Sequence, residues 1–225
     1  MTEDGAASKA EQLAHTRPAV ERWLAWSGLL PLPAFLLLHL LRELSLAFAN
    51  DVGDVVRPAP SVLARLTAWL LVWLPLALHA TLAVYLRLRG RPSAPPLSDV
   101  PGLARLVSRF TAVLALLFVA YHGRVYALAV WLGESDARDA GFRLLAELSS
   151  SRFGVPLASG AYVVGLLATA AHAGLGTHRA LLLEGLLDAP GRRQASARAC
   201  AAFGVLLFAL GAAAVIRVAS GVLLR

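Results

Sequence analysis

Four histidines lie inside long apolar runs: PAFLLLHLL around His39, LPLALHATL around His79, ALLFVAYHG around His122 and ATAAHAGLGTH around His172. An imidazole in such a run gives up hydration and needs a compensating partner. Each of the four occupies a different run, and depth sorts them. With the first and third runs read as running outward, His39 and His122 each lie roughly 16 Å before the outer end, at about 1.5 Å of rise per residue. With the second and fourth running inward, His79 lies roughly 12 Å from Arg87 and His172 roughly 10 Å from Arg179. The histidines thus form an outer pair, His39 and His122, and an inner pair, His79 and His172. The two layers are roughly a dozen ångström apart along the membrane normal.

Two imidazoles from different helices at one depth suit bis-histidine ligation of haem iron. A zinc site wants ligands converging on one point, which two layers do not offer. A proton relay wants carboxylates between the layers, and the only one inside a run is Glu43, beyond His39 toward the outside. Interhelical hydrogen bonding by histidine is the bland reading, and four matched histidines make it a poor one. On the fourth run Gly165, Thr169, His172 and Gly176 share a helical face. These small residues suit a macrocycle, and equally close helix packing.

The elements that must carry these residues follow from composition. The chain has 225 residues, of which 58% are hydrophobic and 16% charged, against about 25% charged in a soluble domain. Mean hydropathy is +0.65. The expected fold is an all-α integral membrane bundle of five helices enclosing two stacked haem layers. A span needs about 20 mostly apolar residues. The five segments are about 23–49, 66–86, 107–132, 156–175 and 199–219. Residues 1–22 read as a polar cytoplasmic tail with His15, and 23–225 as the membrane domain. No cleavable leader is expected, because the tail is followed directly by a span-length run. Pro75, one turn before His79, should bend the second span. ARDAGFRLLAELSS, between the third and fourth spans, has apolar residues at the spacing of a short surface helix.

The formal net charge is +7 and the pI about 10.7. The arginines sit between the apolar runs, so they read as topology and headgroup anchors and not as a nucleic-acid surface. One side collects Lys9, Arg17, Arg22, Arg87, Arg89, Arg91, Arg105, Arg109, Arg179, Arg192, Arg193 and Arg198; the other has fewer. The excess puts the N-terminus inside and, with five spans, the C-terminus outside. Cys200 and Met1 are the sole cysteine and methionine, which excludes disulfide frameworks and CxxC redox motifs.

Several stretches together resemble a known family. They are SGLLPLPAFLLLHLL, WLPLALHATLAVYL, SRFTAVLALLFVAYH and AYVVGLLATAAHAGLG, with AELSSSRF before the fourth span. The chain resembles the single-chain, five-span, di-haem cytochrome b membrane anchors of succinate dehydrogenases and fumarate reductases. The resemblance covers most of residues 23 to 190. It implies two haem b groups, with His39 and His122 as axial ligands of the distal haem, and His79 and His172 of the proximal one. It implies a bacterial cytoplasmic membrane, a flavoprotein subunit and an iron–sulfur subunit docked on the inner face. Electrons then run between the iron–sulfur subunit and membrane quinone, most simply menaquinone. The subunit itself does not act on the dicarboxylate. Departures from the family pattern are Ser108, Ala112, Leu175 and His178; none removes a haem ligand. No glutamate stands just before His172, so the proton path of some di-haem members is expected to be absent.

Other polar residues are candidates around these centres. Arg124, His178 and Arg179 are candidate propionate contacts. Arg42 and Glu43 are a candidate quinone site, with a headgroup-level ion pair as the simpler alternative. Ser27 and Arg109 are candidate inner quinone or propionate contacts. Two other readings stay open: the di-haem anchor of a hydrogenase or formate dehydrogenase, and a haem-free transporter or structural anchor.

Overall fold

The computed structural model describes residues 19–29, 31–44, 48, 61–89, 102–151 and 154–220. The expected N-terminal tail up to residue 18, with His15, lies outside the described residues, as do the connections through Arg57 and Arg91. The described chain is all-α. Among the described residues, five helices are long and apolar enough to cross a membrane: Val20–Glu43, Val62–Leu88, Leu106–Trp131, Leu157–Leu183 and Pro190–Ala219. They are called the first to fifth spans below. A shorter helix, Ala137–Ser149, stands between the third and fourth.

Several helix ends fall outside the hydropathy windows, for local chemical reasons. The second span starts at Ser61, whose hydroxyl accepts from the Ala64 N–H at 3.2 Å. The fourth continues past Leu175 through His178 to Leu183 and stops where Gly185 takes φ +70°. The fifth starts at Pro190, a residue pre-set for a first helical turn. Arg192 and Arg193 therefore sit on its first turns instead of in a loop.

Pro75 has no N–H for the preceding turn, and the second span answers with a π-helical turn, Trp69–Trp73, just before it. The third span has its own π-helical turn, Gly123–Leu128, directly after His122. The two irregular turns meet. A Cβ on Gly123 would stand 2.5 Å from the Trp73 ring, so only glycine admits the indole. Trp69 and Trp131 meet beside them in a tilted contact, with ring centroids 4.8 Å apart. Both tryptophans sit at the same end of the bundle, as interfacial anchors do.

The fourth span is the hub, packed against the first, third and fifth. Its contact with the fifth is backbone to backbone: a Cβ on Gly174 would lie 2.6 Å from the Cys200 carbonyl oxygen, and one on Gly204 3.1 Å from that of Ala170. Small residues allow this approach where no hydrophobic drive brings lipid-embedded helices together. Gly165 is instead covered by the Phe118 ring, and Gly176 faces open space. The short helix docks by Leu145 and Leu148, which are buried with Tyr162, Ala214, Val215 and Val218. Ser149 donates to the Val218 carbonyl at 2.9 Å and Ser159 to that of Leu148 at 2.5 Å. These bonds hold the helix across the ends of the fourth and fifth spans. The outward faces of the spans carry exposed leucines such as Leu63, Leu70, Leu71 and Leu117, which suits contact with lipid.

Candidate functional site: two histidine pairs

The four spans bring the intramembrane histidines together in twos. The His39 and His122 ring centroids are 6.1 Å apart and the planes 60° to one another. The His79 and His172 centroids are 6.3 Å apart at 65°. The pairs stand at different levels. On the fourth span, His122 faces Tyr162 while His79 faces His172. Those two positions are separated by roughly 15 Å of helix rise. Among the described residues no three or more His, Cys, Asp or Glu converge on one point.

Similar separation in both pairs has a chemical meaning. The separations fall within the roughly 4.5–7 Å of tilted or edge-to-face ring contact, and they match a second arrangement as well. Two metal–imidazole bonds of about 2 Å, with about 1 Å from each nitrogen to its ring centre, span about 6 Å. The spacing therefore leaves room for one ligated iron in each pair. The surroundings agree. A Cβ on Gly28 would stand 2.6 Å from the His79 ring, so glycine makes the cradle in which that ring lies. His172 Nδ1 is buried without a hydrogen bond of good geometry, although the backbone of Ser108 faces it. On these observations the residues present fit a bis-histidine centre at each level.

The Nδ1 nitrogens are held differently in the two pairs. His79 Nδ1 lies 3.0 Å from the Leu24 carbonyl and 3.4 Å from the Ser27 hydroxyl. That hydroxyl also donates to Leu24 at 3.0 Å and is buried. His122 Nδ1 lies 3.3 Å from the Tyr162 hydroxyl, and its ring is flanked by Phe118 and Tyr126. Tyr126 and Tyr121 both donate to the Glu147 carboxylate, Tyr121 at 2.7 Å. His39 stacks on Phe35 and has Nδ1 3.9 Å from Glu43.

The remaining candidates are spread around these centres. Ser27 stands directly against the inner pair. Glu43 is half-buried one turn from His39, and Arg42 beside it is exposed. Arg124 pairs with Glu134 at 2.7 Å at the end of the third span. His178 Nδ1 lies 3.1 Å from the Ser196 hydroxyl, which ties the fourth span to the fifth. Arg109 is exposed and Arg179 partly so.

Sequence reasoning missed Tyr126, Tyr162, Glu147 and Gly28. Tyr126 carries a readable signal, since it follows His122 by four residues and so shares its helix face. Tyr162 and Gly28 reach histidines from other helices, and Glu147 reaches Tyr126 from the short helix.

No family model matches the chain, and no solved structure matches it. It is similar to the succinate dehydrogenase cytochrome b558 subunit of Bacillus subtilis (strain 168), with 26% identity over 147 residues. The matched stretch covers 64% of this chain and 69% of that one.

Proposed function

We propose that this chain is the cytochrome b membrane-anchor subunit of a succinate:quinone oxidoreductase, a succinate dehydrogenase or fumarate reductase. The observation that carries the reading is the pairing of four histidines from four spans at two levels, with closely similar separations of 6.1 and 6.3 Å. The similarity to the Bacillus subtilis subunit supports it. In this reading His39 and His122 hold one haem b, and His79 and His172 the other. Bound haem supplies an iron that takes up and gives back single electrons.

The chain's own residues set the conditions for that chemistry. Each ligand presents Nε2 to the iron when its Nδ1 carries the proton, and an acceptor at Nδ1 fixes that tautomer. The Leu24 carbonyl provides it for His79 and the Tyr162 oxygen for His122. Apolar helix faces exclude water from both levels. Arg124, His178, Arg179 and Arg109 are cations or donors at the span ends for the haem propionates. Arg42 and Glu43, next to the outer pair, make a quinone headgroup site, with Glu43 exchanging its proton. The quinone is menaquinone in this proposal.

The arginine-rich side is taken as cytoplasmic, with the C-terminus outside. It is the face for the iron–sulfur subunit, behind which the flavoprotein subunit handles the dicarboxylate. The host is then a bacterial cytoplasmic membrane, and the chain is an electron-transfer subunit without dicarboxylate chemistry of its own.

A reduced-minus-oxidised spectrum of the chain purified from membranes, with a pyridine haemochrome count, tests the proposal. Two b haems per chain are expected, and co-purifying flavin and iron–sulfur subunits assign the complex. A folded, haem-free preparation overturns the cytochrome reading. Two haems with hydrogenase or formate dehydrogenase partners would assign the chain to another complex.

A further inference from the structure

The first and second spans leave a groove between them, at the end of the bundle where the first span begins. It holds about 300 Å³ and is lined by four apolar side chains, Val20, Trp23, Leu78 and Leu82. Trp23 and Leu78 are exposed, so the groove opens to whatever surrounds the bundle. The face of the second span that forms one wall continues beyond the groove. Leu78, Leu82, Tyr85 and Arg89 follow at i, i+4, i+7 and i+11, which is one side of a helix. Arg89 caps that helix with its N–H 3.1 Å from the Tyr85 carbonyl oxygen, so it keeps the helical register. An arginine that only anchors a span end stretches its head toward water. The Arg89 guanidinium carbon instead lies 5.4 Å from the centroid of the Tyr85 ring, folded back along the face toward the groove.

We propose that the groove and the Tyr85–Arg89 pair form one binding site for a single anionic phospholipid of the leaflet on the arginine-rich side. An acyl chain lies in the groove between Trp23 and Leu78, and the phosphate meets the Arg89 guanidinium. Arg89 stands roughly 10 Å beyond Leu82 along the helix, on the side where a headgroup follows its chain. A guanidinium is a forked donor that matches phosphate oxygens while its flat face rests on an aromatic ring. Arg22, exposed beside Trp23 on the facing span, adds a second positive charge at the same end. A zwitterionic lipid brings a cation of its own to these arginines and is the poorer match. The site also joins two elements that depend on each other. The second span packs chiefly on the first, and the Leu24 carbonyl that holds His79 is next in the chain to Trp23. The inference rests on the membrane-spanning helices alone and does not depend on the haem reading.

The test is native mass spectrometry of the full chain in detergent, with an equimolar mixture of phosphatidylglycerol and phosphatidylcholine as the probe. Expected is one phosphatidylglycerol retained in preference to phosphatidylcholine. Arg89→Gln is expected to weaken that binding about fivefold, the worth of one cation at an anionic headgroup. Arg87→Gln removes the same charge from the opposite side of the helix and is expected to change it less than twofold. Leu78→Trp fills the groove and is expected to remove the retained lipid. Arg89→Gln alters only an exposed helix end, so it decides should Leu78→Trp fail to fold. Equal retention of the two lipids overturns the site, and so does equal weakening by Arg89→Gln and Arg87→Gln, which would reduce the arginines to a general attraction for the leaflet. Undiminished phosphatidylglycerol binding in a folded Leu78→Trp overturns the groove as the seat of the chain. A haem-free preparation would overturn the cytochrome reading and leave this test intact.

Discussion

The outer and inner histidine pairs have similar spacing and different supports. Centroid separations are 6.1 and 6.3 Å and the ring planes stand at 60° and 65°, so the two rings of each pair are arranged in nearly the same way. Behind the rings the levels diverge. The outer pair is backed by side chains: Glu43 near His39, and Tyr162, Tyr126 and Glu147 behind His122. The inner pair is backed mainly by main chain: the Leu24 carbonyl and Gly28 around His79, and the Ser108 backbone facing His172. Side-chain support carries charge and tunes electronics. Backbone support is neutral and fixes position. Under the proposed haem reading, the two centres differ in the groups that stand behind their ligands.

Removing a ligand tests the pairing most directly and has the largest effect. His39→Ala and His122→Ala are each expected to abolish the outer haem and leave the inner one, halving the haemochrome count. His79→Ala and His172→Ala are expected to abolish the inner haem instead. The two losses are told apart by which step vanishes from the redox titration. Loss of both haems from every single variant would show that the levels are not independent. Retention of both would remove the histidines from the ligand set.

Next come the glycines, which separate positioning from packing. In Gly28→Ala the new methyl meets the His79 ring at 2.6 Å and pushes the imidazole out of its place. Inner haem affinity is expected to fall about 10- to 100-fold, the usual cost of disturbing a ligand's surroundings, with the outer haem unchanged. Gly174→Ala puts a methyl 2.6 Å from the Cys200 carbonyl oxygen, where backbone must move. It is expected to cost about 1–3 kcal/mol by overpacking and to weaken both haems alike. Thermal unfolding in detergent, followed at both absorption bands, distinguishes the selective effect from the general one. An inner-selective loss in Gly174→Ala would place that glycine at the cofactor instead of at the helix crossing.

Much of this was legible in the sequence because a bilayer simplifies reading. Five apolar runs identify the spans, and one histidine in each of four suggests the pairing from depth alone. Helix ends were less legible. Gly185 ends the fourth span and Pro190 begins the fifth by local dihedral preferences that hydropathy averages away. The amphipathic pattern of ARDAGFRLLAELSS gave the short helix, observed as Ala137–Ser149. Its use did not follow, since Glu147 meets Tyr121 and Tyr126 only after Leu145 and Leu148 have docked. Likewise nothing in WLAWSGLL announces that Leu24 and Gly28 embrace a histidine over fifty positions away. What stays hidden is contact between helices, which depends on rotation about each axis and not on depth.

The smallest expected effect sharpens the contrast between the levels. Ser27 approaches His79 Nδ1 at 3.4 Å, a long contact, while its hydroxyl donates to the Leu24 carbonyl at 3.0 Å. Ser27→Ala removes the hydroxyl and leaves the carbonyl that holds His79. One buried hydrogen bond is worth about 0.5–1.5 kcal/mol, and a mild loss of thermal stability of that order is expected. The inner haem should stay bound, and its reduction equilibrium should move less than threefold. A tenfold or larger shift would mean that the inner centre is tuned by a side chain after all. It would also place Ser27, and not the Leu24 backbone, as the acceptor that sets the His79 tautomer.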